Sequence, residues 1–122
     1  MARILLVEDN EISREILSRR LRKAGHDIAE AADGAQCLSA AVRLHPDLIL
    51  LDMTLPGING WEAARELRAR GETSSIPVIA LTAHTLASDR DRAIQAGCDD
   101  FEPKPVELPR LLQKIEALLS RQ

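Results

Sequence analysis

Aromatic residues are almost missing from this chain: one tryptophan, Trp61, one phenylalanine, Phe101, and no tyrosine. That scarcity excludes a surface on which nucleic-acid bases stack. Lysine and arginine are scattered rather than clustered, and the net charge is −3. Nucleic acid is therefore not expected as the main partner. Cysteine is scarce as well. Cys37 and Cys98 stand far apart, outside any metal-ligand spacing, and read as small buried thiols of a reducing compartment. No apolar run of useful length follows Met1: Arg3 comes at once, and Ile4 to Val7 is too short for a signal or a membrane span. A cytoplasmic location without a membrane partner is the expectation. Linkers, repeats and low-complexity segments are also lacking. The 122 residues suit one domain, 1–122, large enough for a core without staples.

What the chain does have is alternation. Short apolar runs give way to helical patterns five times. Ile4 to Val7 precedes a stripe of Ile12, Ile16, Leu17 and Leu21 that ends at Gly25. Asp27 to Ala31 is a weak second strand. Asp33 then reads as an N-cap, with Gln36 three residues on as in a capping box, and Leu38, Ala41 and Val42 as the apolar side of the helix. Leu48 to Leu51 is continuous and uncharged, the mark of a strand buried on both faces. Asn59 with Glu62 caps a helix expected to run to about Arg70, where Gly71 stops it. Val78 to Leu81 is the fourth strand. A fourth helix covers Leu86 to Ala96, with Gly97 where a left-handed C-cap belongs. A short polar strand near Asp99 to Glu102 follows. Leu108, Leu111, Leu112, Ile115, Leu118 and Leu119 then mark one face of a last helix.

Strands alternating with helices predict an α/β fold: a five-stranded parallel sheet, flavodoxin-like, order 2-1-3-4-5, with helices on both faces. Ligands of such sheets bind beyond the carboxyl ends of the strands, at the switch point. Four chemically active strand ends should meet there: Glu8-Asp9, Asp52, Thr82-Ala83 and Lys104-Pro105. Three carboxylates in one place repel unless a cation joins them, and a hard divalent ion such as Mg²⁺ suits oxygen donors. Asp9 and Asp52 are the expected direct ligands, with Glu8 acting through water. Glu8 and Asp9 equally suit a helix N-terminus, where negative charge is favoured. Lys104 supplies a matching positive charge on a stiff segment between Pro103 and Pro105, and its bond to Pro105 is expected to be cis.

The joint pattern resembles the receiver domain of bacterial response regulators (CheY-like) along essentially the whole chain. The residues that carry it are Glu8-Asp9, Asp52 after its apolar strand, the loop Asp52 to Gly60, Thr82, Phe101 and Lys104-Pro105. The resemblance implies a signalling domain that is not an enzyme in its own right. Asp52 would accept a phosphoryl group from the phosphohistidine of a histidine kinase or histidine phosphotransfer protein. Mg²⁺ or Mn²⁺ would bind Asp9, Asp52 and the Thr54 backbone carbonyl. Lys104 and the Thr82 hydroxyl would hold phosphoryl oxygens, and Thr82 with Phe101 would form the switch. Phe101, where the family often has tyrosine, is expected to favour an inward position. Thr54 and His84 would tune the lifetime of the mark. Helix 1 would dock the phosphodonor through exposed apolar residues, while Arg14, Arg19, Arg20 and Arg22 read as its solvated face.

A start at Met1 and no output segment after Gln122 favour a free-standing, single-domain regulator with an unknown downstream target. A module detached from a hybrid histidine kinase is the alternative. An aspartate-nucleophile phosphatase would want a second aspartate where Thr54 stands. A flavodoxin-type nucleotide module would want a Gly/Ser/Thr-rich loop where Glu8-Asp9-Asn10 stands.

Overall fold

Ten elements alternate along the chain in a computed structural model that describes residues 2–83 and 87–121. They are β1 (Arg3–Val7), α1 (Glu11–Lys23), β2 (Asp27–Ala31), α2 (Gly34–Leu44), β3 (Leu48–Asp52), α3 (Gly60–Ala69), β4 (Val78–Thr82), α4 (Ala87–Gln95), β5 (Asp100–Pro103) and α5 (Leu108–Leu119). All strand pairs are parallel and the order is β2-β1-β3-β4-β5. This is the flavodoxin-like arrangement that the alternation predicts.

Strand periodicity divides the core in two. Ile4, Leu6, Leu48, Leu50, Ile79 and Leu81 pack with Leu21 of α1 and Leu111, Ile115 and Leu118 of α5. Leu5, Val7, Ile49, Leu51, Val78 and Ala80 pack on the opposite face with α2, α3 and α4. β3 and β4 are buried at every position, which explains their unbroken apolar runs. Each such Leu or Ile contributes about 1.5–3 kcal/mol by leaving water.

Side-chain caps open three helices. Asn10 accepts from the Ser13 N–H at 2.9 Å, Asp33 from Gln36 at 2.8 Å and Asn59 from Glu62 at 3.0 Å. The Gln36 side chain reaches back to the Ala32 N–H, one residue short of the strict capping box. Asn10 as the cap of α1 leaves the Glu8 and Asp9 carboxylates available for other work.

Three local expectations change. Ile12 and Ile16 do not join the core: they are 70% and 47% exposed, and α1 buries only Ser18 and Leu21. Val42 is half-exposed, and α2 packs instead through Gly34, Cys37, Leu38, Ala40 and Ala41. α3 ends without a left-handed glycine. Arg70 is extended (φ −97°), and the Thr73 hydroxyl donates to the Leu67 carbonyl at 2.7 Å, satisfying the last turn that Gly71 was expected to close. Gly97 does take the left-handed conformation (φ 105°), with the Cys98 N–H returning to the Ala93 carbonyl.

One arginine ties the amino-terminal side of the sheet together. Arg68 of α3 donates to the carbonyls of Gly97 (2.7 Å), Ser74 (3.0 Å) and Ile76 (2.7 Å) and to the Asp99 carboxylate (2.6 Å). Asp99 also accepts from the Val78 N–H at 2.8 Å. A methyl group on Gly97 would lie 2.4 Å from Arg68 Cγ.

β5 reads as polar because it buries a carboxylate. Glu102 is fully enclosed and accepts from Arg110 at 2.6 Å and Lys114 at 2.9 Å, cations one turn apart on α5. Burial opposes its charge, but the hydrogen bonds from Arg110 and then Lys114 outweigh it and hold the carboxyl below its ordinary 4.5. The unfolded chain therefore takes up this proton first. The stabilisation is complete above about pH 4.5 and is lost as pH falls through the lower folded value. Glu102→Gln is expected to lower the urea midpoint at pH 7 and to flatten its decline on acidification. Parallel curves for parent and variant would show that this cluster carries no pH-linked stability.

Candidate active site

The carboxyl ends of β1, β3, β4 and β5 bring together Glu8, Asp9, Asp52, Thr82 and Lys104. Gly60 brings the start of α3 against the end of β3: a Cβ there would stand 2.5 Å from both the Asp52 carbonyl oxygen and Met53 Cα. Gly34 lets α2 lie equally close to the Ile58 carbonyl, steadying the loop after Asp52.

Asp52 is 1% exposed and has partners on both oxygens. Oδ1 accepts from the Thr54 N–H and the Thr54 hydroxyl, each at 2.9 Å. Oδ2 accepts from Lys104 Nζ at 2.9 Å. The same ammonium donates to Glu8 Oε1 at 2.9 Å, and Glu8 Oε2 accepts from the Asn10 N–H at 3.2 Å. Carboxylate oxygens of Glu8, Asp9 and Asp52 lie within 4.8 Å of one another, with Asp9 exposed. The Lys104–Pro105 bond is cis, and the Lys104 N–H donates to the Thr82 carbonyl at 2.8 Å.

Electrostatics divides the two buried acids. Burial, and then the facing Asp52 carboxylate, push the Glu8 carboxyl above its ordinary 4.5, against Lys104 and the Asn10 N–H. Burial alone would raise Asp52 too, but hydrogen bonds from the Glu8 carboxyl, the Thr54 N–H and Lys104 outweigh it, and Asp52 titrates below its ordinary 3.8. Asp52 is thus the group held as a carboxylate. Burial would lower Lys104, but hydrogen bonds to Asp52 and Glu8 more than compensate and keep it charged.

Thr82 is buried at the end of β4, in register with Pro103 of the edge strand. Phe101 is half-buried against the core on the α2–α3–α4 side. Lys114 donates to its carbonyl at 2.5 Å and stands 5.4 Å from its ring centroid. His84 lies outside the described residues. Arg14 leaves the solvated face assigned to it, with its side chain 20% exposed, while Arg22 stays on that face at 53%. Arg14 donates to the Glu8 carbonyl at 2.8 Å, and Arg22 to the Ile28 carbonyl at 3.2 Å. Neither contact has a local sequence signal, because the acceptors are main-chain atoms of other elements.

The donor set suits a hard divalent cation: oxygen atoms only, three carboxylates against one ammonium. Fold and site together define a doubly wound α/β domain with an anionic, lysine-bridged pocket at its switch point. The chain belongs to the response regulator receiver domain family, which its residues 4–116 match. It is 37% identical over 121 residues to the DNA-binding dual master transcriptional regulator RpaA of Synechocystis sp., covering 99% of this chain and 50% of that protein. It is 34% identical over 116 residues to the polar-differentiation response regulator DivK of Brucella ovis, covering 95% of this chain and 94% of that one. The chain spans about half the length of the first curated relatives that it matches. A solved receiver domain of the sensor histidine kinase PA1611 from Pseudomonas aeruginosa superposes with a TM-score of 0.91 at 37% identity, covering 98% of each chain. That structure has a magnesium ion coordinated in its active-site cleft. Among the described residues, no helix is long and apolar enough to cross a membrane.

Proposed function

We propose that this domain is a phosphorylation switch in which Asp52 accepts a phosphoryl group from a phosphohistidine on a histidine kinase or phosphotransfer protein. The observation that carries the reading is Asp52 itself. It is a buried carboxylate kept ionised, touching Lys104, within reach of two further acids. An Asp52 oxygen attacks phosphorus, the phosphorus–nitrogen bond breaks, and the product is an acyl phosphate on Asp52. Magnesium or manganese, when bound among Asp9, Asp52 and the Thr54 carbonyl with Glu8 behind a water, supplies charge that balances the phosphoryl oxygens. Lys104 follows the new charge from carboxylate to phosphoryl oxygen. The Thr82 hydroxyl turns to donate to another oxygen, and the space it leaves draws Phe101 further inward, shifting a pre-existing equilibrium of the α4–β5–α5 face. The Thr54 hydroxyl, now on Asp52, tunes the lifetime of the mark, a role that the resemblance implies for His84 as well.

The phosphodonor docks beside α1. Ile12 and Ile16 are exposed there, next to a groove of about 270 Å³ between α1 and the start of α5 that opens on Glu8 and Lys104. A cytoplasmic, signalling role without an independent substrate completes the reading. The test is to incubate the protein with Mg²⁺ and acetyl phosphate, beside a metal-free control and Asp52→Asn, and weigh the intact chain. One phosphoryl group that needs both metal and Asp52 is expected. An adduct formed equally by Asp52→Asn would move the acceptor elsewhere.

A further inference from the structure

Glu8 is held at every polar atom. Its N–H donates to the Ala31 carbonyl at 3.0 Å, and its carboxylate meets Lys104 and the Asn10 N–H. Its own carbonyl, the last acceptor before Asp9, takes a hydrogen bond from Arg14 Nη1 at 2.8 Å. Arg14 sits one turn into α1, and its side chain is 20% exposed. It is fixed in turn: Nε lies 3.4 Å from Glu30 Oε1 on β2, while Arg22 holds the other oxygen of Glu30 at 3.5 Å. A chain of contacts thus runs from Arg22 through Glu30 and Arg14 to the peptide that joins Glu8 to Asp9.

The placement is informative because one arm of the Arg14 guanidinium is spent on a carbonyl while the other meets Glu30. Arg14 meets the Glu8 carbonyl and the Glu30 carboxylate, and among the described contacts it pairs with no acid of the cluster. It fixes the plane of one peptide and leaves the carboxylate oxygens clear. We infer that Arg14 is a positioning residue for the cation site, orienting the Glu8–Asp9 peptide so that the Asp9 carboxylate stands toward Glu8 and Asp52. The inference rests on the proposed reading of this site as magnesium-dependent. It adds a residue that touches neither metal nor phosphoryl group. Groups of this kind, hydrogen-bonded to the ligand-bearing backbone, set affinity by removing the freedom of the ligand.

The roles of Arg14 and Glu30 differ in a testable way. The planar fork of Arg14 serves a carbonyl and a carboxylate together, whereas a lysine in its place offers a single point charge. Glu30 acts only through Arg14.

The experiment is calorimetric titration of the whole chain with magnesium chloride for the parent, Arg14→Gln, Arg14→Lys and Glu30→Gln. Metal-free melting temperatures confirm that each is folded. Arg14→Gln is expected to bind magnesium about 10-fold more weakly. Arg14→Lys should fall between it and the parent, and Glu30→Gln should weaken binding by a smaller factor. At saturating magnesium, Arg14→Gln should take up phosphoryl groups from acetyl phosphate at the parental rate. If Arg14→Gln proves unfolded, Arg14→Lys carries the comparison. Magnesium binding equal to the parent's, with only a lower melting temperature, would overturn the inference and leave Arg14 a brace of the β1 end. A parent that binds no magnesium would bring down the reading of the site and the inference together.

Discussion

Lys104→Met is expected to slow phosphoryl uptake from acetyl phosphate about 100- to 1,000-fold, the usual cost of removing one preorganised donor to developing anionic charge. The same change should leave magnesium binding as tight as before, or tighter. Both expectations come from one atom. Lys104 Nζ lies 2.9 Å from Glu8 Oε1 and 2.9 Å from Asp52 Oδ2, so at rest it neutralises two of the three acids whose charge would attract a dication. Removing it takes a competing positive charge away from the cation and a necessary one away from the transition state. The two effects separate when uptake is timed by intact mass at several magnesium concentrations and binding is titrated independently. A variant that phosphorylates at the parental rate would reduce Lys104 to a counter-ion of the resting site. Weakened magnesium binding would mean that the ammonium organises the acids instead of competing for them.

Arg68→Ala should cost about 3 kcal/mol of stability, which lowers the melting temperature by roughly 10 °C for a domain of this size. The side chain is 24% exposed and serves three carbonyls and one carboxylate from two separate stretches, 74–76 and 97–99. Truncation strands those acceptors in a place that water reaches only in part. It also removes the counter-ion of Asp99, which holds the first N–H of β4. Arg68→Lys should recover less than half, because one ammonium cannot span the acceptors of a planar fork. Urea unfolding at pH 7 measures both. A loss for Arg68→Ala no larger than that of an exposed ion pair, about 1 kcal/mol or less, would show that water replaces the arginine without penalty.

These two residues show what a sequence discloses and what it hides. Lys104 could be found because prolines flank it and because fold rules send the end of β5 to the same edge as Asp52. β1, β3 and β4 were legible because burial on both faces demands unbroken apolar runs. The caps at Asp33 and Asn59 were legible because each bond spans only three residues. Arg68 had no such mark: its acceptors lie 6 to 31 positions away, and three of them are main-chain atoms. Arg14 was hidden for the same reason. Ile12 and Ile16 keep the spacing of a core stripe but face outward, since periodicity says that a helix has an apolar face and not what covers it. The polar character of β5 looked like weakness. It reflects Glu102, whose partners on α5 only the fold supplies. The roles proposed for Asp9, Thr54 and Thr82 in phosphoryl transfer, and for Phe101 in the switch, come from the resemblance.

The contact between Trp61 and Arg92 has a practical consequence. Trp61 of α3 is buried, and the guanidinium of Arg92 on α4 lies 4.5 Å from the centroid of its ring. The chain has no other indole and no phenol. Its near-ultraviolet emission therefore comes from a single position, at the seam between the helix that follows Asp52 and the helix that follows Thr82. A change in how those two helices lie together alters the cationic field at that one fluorophore. The protein thus carries an intrinsic optical reporter of the seam, readable without a label.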